Sequence, residues 1–82
     1  MWFLYVLECV DQTLYTGIST DPEKRLIAHN KGRGSKYVRA RAPARIVASW
    51  PMFTKSAALR AEAAFKKLTR EQKLLRVEEG YL

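Results

Sequence analysis

The sequence predicts an α+β domain in which helices flank a small three-stranded sheet, in the order ββαβαα. Residues 2–9 and 13–18 are rich in aromatic and branched side chains and are separated by Asp11-Gln12, which is typical of a β-hairpin. A third run of this kind spans residues 45–50, and two stretches with helical spacing follow it. Because the chain has 82 residues, we expect a single domain covering residues 1–82.

The predicted helices begin at capping side chains. Asp21 can cap the first helix, and Pro22 fits its first position, where the missing N–H does no harm. This helix is expected to reach about Asn30, with Gly32 as its stop. The other predicted boundaries are Pro51 as the end of the third strand, Ser56 or Thr54 as the cap of a helix through Leu68, a capping box formed by Thr69 and Gln72, and Gly80 as the final stop.

The composition indicates a globular protein rather than a disordered or membrane-spanning one. Hydrophobic residues make up 48% of the chain, enough for a packed core. The apolar start is too short to cross a membrane, is interrupted by Glu8, and lacks the features of a signal peptide. Cys9 is the only cysteine, so no internal disulfide can form, and we expect a cytoplasmic location.

The charge distribution favours nucleic acid as the partner. The net charge is +7, and the segment from Lys24 to Ala61 contains ten basic residues and no acidic residue. Such a segment has no local ion pairs to neutralise it and suits a polyanion. Tyr37 is expected either to stack on an unpaired base or to anchor a loop on the sheet. The expected contacts to the nucleic-acid backbone are Arg33, Lys36, Arg39, Arg41 and Arg45.

Glu62 is the most informative single residue, because it lies on the same helical stripe as Ala58 and Phe65. A carboxylate that faces a core must be paired, protonated or bound to a metal. The helix alone favours an ion pair with Arg25 or Arg60 and leaves a divalent-cation ligand as the alternative. One cysteine and one histidine do not make a zinc site, so Mg²⁺ is the cation that fits better.

Four other residues are candidates for chemistry. Arg25 and His29 are four apart on the first helix and share one face of it. Tyr5 and Tyr15 lie on the two hairpin strands and point to one face only if the loop has an odd number of residues, which the sequence leaves open. Gly17 inside a strand indicates a close approach by another backbone or a ligand.

In order, these residues resemble the motifs of the GIY-YIG nuclease superfamily. Phe3-Leu4-Tyr5 matches the first motif, and Tyr15-Thr16-Gly17 matches the second. Arg25, His29 and Glu62 follow with the spacing and in the elements of that family. The match spans nearly the whole chain and is similar to small single-domain bacterial members, which resemble the nuclease module of the eukaryotic branched-DNA endonuclease subunit.

The resemblance implies hydrolysis of a phosphodiester bond with one divalent cation, Mg²⁺ or Mn²⁺. It implies that Glu62 is the metal ligand, that Arg25 contacts the scissile phosphate and that Tyr15 is the general base. Tyr5 would orient the water or the base, and His29 would assist or hold a phosphate oxygen. A free tyrosine has a pKa of about 10, so a tyrosine base needs positive charge nearby.

The sequence departs from the family pattern at three places. Phe3 replaces the leading glycine of the first motif, and Ile18 stands where excision-repair members have a lysine. The last helix has no asparagine, because Asn30 is the only one in the chain. None of these differences removes the expected metal ligand or phosphate contact.

The sequence therefore predicts a metal-dependent endonuclease for branched, flapped or damaged DNA, with a role in DNA repair. We expect the two phenols, the guanidinium and the carboxylate to converge on one solvent-reachable pocket. The alternatives are a non-catalytic nucleic-acid-binding module on the same fold, and a protein adaptor that docks through its last helix at Leu74 and Leu75.

Overall fold

The computed structural model describes all 82 residues as three strands and four helices. The predicted α+β architecture is confirmed, with one additional short helix. In chain order the elements are β1 (Trp2–Cys9), β2 (Leu14–Ser19), α1 (Pro22–Asn30), α2 (Lys36–Arg39), β3 (Ala44–Met52), α3 (Lys55–Lys66) and α4 (Arg70–Glu79).

The sheet is antiparallel and has the strand order β2-β1-β3. The central strand β1 is the most buried element, as the apolar run at residues 2–7 indicates. β2 therefore forms one edge of the sheet, and its outer side has no strand partner.

Alternate side chains of β1 supply two separate cores, one on each face of the sheet. Tyr5 and Leu7 pack with Val38 of α2 and with Leu26 of α1. Leu4 and Val6 pack on the other face with residues of α3 and α4, including Phe65. Helices α1 and α2 thus cover one face of the sheet, and α3 and α4 cover the other.

Most predicted caps are confirmed. The Asp21 side chain accepts a hydrogen bond from the backbone N–H of Lys24, and Thr54 rather than Ser56 caps α3. Both hydrogen bonds of the Thr69–Gln72 capping box are present. Gly80 ends α4 with a φ of 82°, a left-handed conformation that glycine adopts without strain.

The structure differs from the predicted elements at three places. β3 continues through Pro51 to Met52, which is tolerated because β3 is an edge strand. The segment between α1 and β3 contains the four-residue helix α2, whose first turn is capped by Ser35. Helix α3 ends at Lys66, short of Leu68, and a separate helix begins immediately after the Thr69 cap.

The end of α1 is fixed to the sheet by Asn30. Its side-chain amide donates to the backbone oxygen of Ala44 and accepts from the backbone N–H of the same residue, at 3.0 and 2.8 Å. The side chain thus pairs with β3 as another strand would, and this holds the helix that carries Arg25 and His29.

No helix in the chain has the length and apolar character needed to cross a bilayer.

Candidate active site

The hairpin register brings Tyr5 and Tyr15 to the same face of the sheet. Glu8 pairs with Leu14, so five residues lie between them, and this is the odd-numbered case that the sequence left open. Tyr15 lies opposite Leu7, and Leu7 shares a face with Tyr5 because the two are two positions apart.

Gly17 lies directly opposite Tyr5 on the neighbouring strand. A Cβ added at Gly17 would lie 2.6 Å from the Tyr5 hydroxyl oxygen and 2.8 Å from Cζ. The close approach expected at this glycine is therefore present, but the neighbour is the ring of Tyr5 rather than a backbone or a ligand. Only glycine lets the phenol cross β2 towards the free edge of the sheet.

His29 is completely buried, and both of its ring nitrogens are engaged. The backbone N–H of Ser35 donates to Nδ1 at 3.1 Å, and Nε2 lies 3.3 Å from the Tyr5 hydroxyl oxygen. Because Nδ1 accepts, the proton of the neutral ring belongs on Nε2, which then donates to Tyr5. A Cβ at Gly34 would clash with the His29 ring, so Gly34 also shapes this site. Neither nitrogen of His29 is free to hold a phosphate oxygen.

The environment keeps Tyr5 protonated and His29 uncharged. Burial is the largest cause that raises the pKa of Tyr5 to about 12, followed by the charge of Tyr15, and the nearby Arg25 opposes both. Burial, and then the charge of Arg25, lower the pKa of His29. Tyr5 therefore offers an O–H donor, and it is not available as a general base.

Arg25 is exposed on α1, one turn before His29. It borders an open depression of about 220 Å³ at the start of the helix, together with Ser19 and Lys24. The guanidinium is thus accessible from solvent and still close enough to act on the pKa values of Tyr5 and His29.

Tyr15 is half-buried and in contact with two other rings. It meets His29 edge to face, with the ring centroids 5.4 Å apart, and stacks on Tyr37 at 6.0 Å. The Arg41 guanidinium covers Tyr37 at 4.0 Å. Because Tyr37 already has an aromatic and a cationic partner, the structure supports the loop-anchor interpretation, and stacking on a base would require displacing one of them.

Glu62 lies on α3, the helix that packs on the face of the sheet opposite to Tyr5. Its side chain is 20% exposed, and its carboxylate pairs with Lys66 at 3.5 Å. The expected ion pair with Arg25 or Arg60 is therefore wrong, and Arg60 instead donates to Ser56. The carboxylate is nevertheless close enough to Tyr5 to make a small contribution, after burial and Tyr15, to the raised pKa of that phenol.

The expectation of one shared, solvent-reachable pocket is wrong for Tyr5, which is 1% exposed. Tyr15 borders an open depression that is also lined by Lys66, the ion-pair partner of Glu62. The groups are instead arranged around the free edge of β2, with the tyrosines and Arg25 on one side and Glu62 on the other. The side of the sheet on which each helix packs decides which residues share a face. This packing depends on long-range contacts, which the sequence does not specify.

The site offers a metal ion one protein carboxylate, that of Glu62. No group of three or more His, Cys, Asp or Glu side chains is positioned to hold a cation. Mg²⁺ usually keeps several waters and takes one or two carboxylates together with substrate phosphates. Glu62 fits that donor set, because it is accessible and its only partner is an ion pair as long as 3.5 Å.

The basic surface is partly neutralised from outside the acid-free segment. Arg41 pairs with Asp11 at 3.1 Å, and Arg45 pairs with Glu8 at 2.7 Å. The segment has no local ion pairs, as expected, but the hairpin brings distant acids to two of its arginines. Three of the expected nucleic-acid contacts are exposed and form no ion pair: Arg33, Lys36 and Arg39.

Three basic residues near Tyr15 were missed by the sequence reasoning. Lys66, Arg70 and Lys73 line depressions beside Tyr15 and Tyr37. A usable signal was the spacing of Arg70 and Lys73, which are three apart in the predicted last helix and therefore share one face of it. All three residues lie beyond the acid-free segment that ends at Ala61, in a part of the chain that also contains acids.

The chain is similar to a known family over most of its length. The family described as the GIY-YIG catalytic domain matches residues 1–75. A UPF0213 protein of Streptococcus agalactiae is 49% identical over 94% of this chain and 88% of its own length, and one of Streptococcus pyogenes is 55% identical over 88% and 79%.

Two solution NMR structures are also similar. A protein from E. faecalis is 46% identical with a TM-score of 0.64, covering 94% of this chain and 82% of its own. A UPF0213 protein from Bacillus halodurans is 42% identical with a TM-score of 0.61, covering 95% and 84%. These names state no substrate or metal. With its tyrosines, Gly17, Arg25 and Glu62 gathered around one sheet edge, the chain belongs to the GIY-YIG family.

Proposed function

We propose that the protein is a divalent-metal-dependent endonuclease that hydrolyses phosphodiester bonds in DNA. The observation that carries the proposal is the buried contact between His29 and Tyr5 across Gly17, beside the exposed Arg25. Burying two polar rings costs free energy, and a core of this size would be as well packed by apolar side chains. Fixed donors next to an exposed guanidinium are suited to a reaction in which negative charge grows on a phosphate.

Arg25 is the residue for the scissile phosphate. Its planar guanidinium can donate to two phosphate oxygens at once, and its exposure lets it reach a substrate. Tyr15 is the group for taking the proton of the attacking water, because it is the less buried of the two phenols and borders an open depression. Tyr5 keeps its own proton and orients the water or the base by hydrogen bonding.

His29 acts through Tyr5 in this proposal. Its neutral ring donates to the Tyr5 oxygen and is itself held by the backbone of Ser35. It is a positioning residue, since its buried ring cannot reach a phosphate. Because His29 donates to the Tyr5 oxygen, the contact fixes the direction in which the O–H proton of Tyr5 points. It adds no charge to the site.

Glu62 would hold the divalent cation, Mg²⁺ or Mn²⁺. When bound, such an ion stabilises the negative charge that develops on the phosphate oxygens. With one protein carboxylate, the site needs the phosphate of the substrate to complete the donor set. We therefore expect weak metal binding by the free protein and tighter binding in the presence of DNA.

Branched, flapped or damaged DNA is the proposed substrate, encountered in the cytoplasm during DNA repair. The chain has no separate base-reading element, so selection would depend on backbone contacts and DNA shape. The exposed Arg33, Lys36 and Arg39 are suited to the backbone, whereas Arg41 and Arg45 would first have to leave Asp11 and Glu8. Binding should weaken steeply as salt rises.

A cleavage screen tests the proposal. Wild type is incubated with flap, branched, duplex and single-stranded DNA in Mg²⁺, in Mn²⁺ and in EDTA, beside Arg25→Ala, Glu62→Ala and the exposed-site control Glu71→Ala. We expect metal-dependent cutting by wild type and the control, and a loss of at least about a hundredfold in the other two variants. Equal, metal-independent cutting by all four proteins would reject the nuclease and indicate contamination.

A non-catalytic nucleic-acid-binding module remains the second candidate. It is favoured by one observation: α3, which carries Glu62, packs on the face of the sheet opposite to Tyr5. The same screen separates the two, because a binding module would shift the DNA in a gel without cutting any substrate in either metal.

A further inference from the structure

A cationic groove runs along the free edge of β2, and its lining differs from that of the Arg25 depression. It consists of two adjoining depressions of about 290 and 220 Å³ that share Leu14, Tyr37 and Lys73. Tyr15 lies at one end of the groove. We call this feature the α4 groove, lined by Leu14, Tyr15, Tyr37, Lys66, Arg70 and Lys73.

The cations of the α4 groove are not matched by acids within it. No aspartate or glutamate lines either depression. Lys66 is paired with Glu62, and Arg70 donates to the backbone oxygen of Gln12 at 2.8 Å. Lys73 is half-buried and forms no ion pair. A partly desolvated ammonium without a carboxylate partner favours an anion from outside the protein.

The size and the walls of the groove fit one strand of nucleic acid. The two depressions of about 290 and 220 Å³ are small and open, and together they form a narrow track beside β2. A groove with a line of cations is typical of sites that follow the backbone of a single strand, and this contact requires no stacking on Tyr37. The outer edge of β2 also offers backbone groups that no strand occupies.

We propose that the α4 groove binds the backbone of a single-stranded arm that leaves the scissile phosphate. This inference rests on the proposed function, which puts the reacting phosphate between Arg25 and Tyr15. A strand that continues past Tyr15 along β2 meets Tyr37 and Lys73 next, and then Arg70. The substrate is then a junction between duplex and single strand, with the unpaired arm in the groove.

Binding measured in EDTA tests the inference separately from hydrolysis. The probes are fluorescein-labelled oligo(dT) and a blunt hairpin duplex, and the readout is anisotropy over a series of salt concentrations. Lys73→Gln should weaken oligo(dT) binding several-fold and reduce the slope of log K against log salt by about 0.7, the value for one lost contact to a single strand. Duplex binding should be unchanged.

Two further variants complete the test. Lys73→Arg keeps the charge and should restore the slope. Lys67→Ala removes the same charge from an exposed lysine that does not line the groove, and it should leave the slope unchanged. The inference is overturned if Lys67→Ala matches Lys73→Gln, or if Lys73→Gln weakens duplex binding as much as oligo(dT) binding. If binding depends on the groove but no substrate is cleaved, the single-strand site is supported and only the proposed nuclease activity is rejected.

Discussion

The protonation state of His29 is set by its two hydrogen-bond partners and by its burial. Ser35 occupies Nδ1 with a donor, and Tyr5 lies at Nε2, so the neutral ring fits both neighbours in one tautomer. Protonation would put a second donor against the Ser35 N–H, inside a core and near Arg25. The lowered pKa of His29, caused by burial and then by Arg25, is consistent with that cost.

The stability of the protein should therefore fall as the pH falls below about 6.5, the ordinary pKa of histidine. In the unfolded chain His29 takes up a proton in that range, whereas the folded protein resists it until a lower pH. His29 is the only histidine, so urea unfolding at several pH values between 7.5 and 5.5 reads this group. We expect a loss on the order of 1 kcal/mol in wild type and a flat profile in His29→Gln. A wild-type profile that is flat or rises towards pH 5.5 would contradict this assignment.

The connection between α1 and α2 has a role beyond linking two helices. Residues 31–35 bring the Ser35 N–H to His29 and put Gly34 against the ring, and Ser35 also caps α2. The sequence showed this stretch as basic and punctuated by glycine, which favours DNA contact over packing. Its contact with a buried histidine could not be predicted, because it depends on how the connection folds back over α1.

A methyl group at Gly34 should disturb the site from within this connection. Gly34→Ala puts its Cβ into the His29 ring, and such overpacking costs about 1–3 kcal/mol of unfolding free energy. We expect a lower urea midpoint and a displaced Ser35 amide resonance in a nitrogen–proton correlation spectrum. An unshifted Ser35 amide together with an unchanged midpoint would show that the connection yields freely and does not hold His29.

Local signals and distant contacts account for what the sequence could and could not predict. The helix caps at Asp21, Thr69 and Gly80 are local, and they are present where the sequence indicates them. The ion pairs of Arg41 and Arg45 depend on residues far away in the chain, and the close approach of the Tyr5 ring to Gly17 depends on the strand register. For the same reason the sequence did not indicate how the candidate residues are distributed over the two faces of the sheet.

At the scale of the whole molecule, the central claim is that β2 lets groups from both faces of the sheet act together. Helices α1 and α2 cover the face of the sheet where Arg25 and the side chains that pack against the tyrosines lie. Helix α3 covers the other face and carries Glu62. Only an edge strand allows these two sets to meet, because a central strand would be flanked by neighbours on both sides. The free edge of β2 is also where the α4 groove lies.

The most direct test of this claim is paramagnetic broadening by Mn²⁺ in the presence of a phosphorothioate flap that resists cleavage. The amide resonances of Gly17, Arg25 and Glu62 should broaden together, more strongly with DNA than without it, and Glu62→Gln should abolish the effect while Glu71→Gln does not. Broadening confined to Glu62 and its helix, with Gly17 and Arg25 unaffected, would mean that the two faces do not share an ion and would contradict the account.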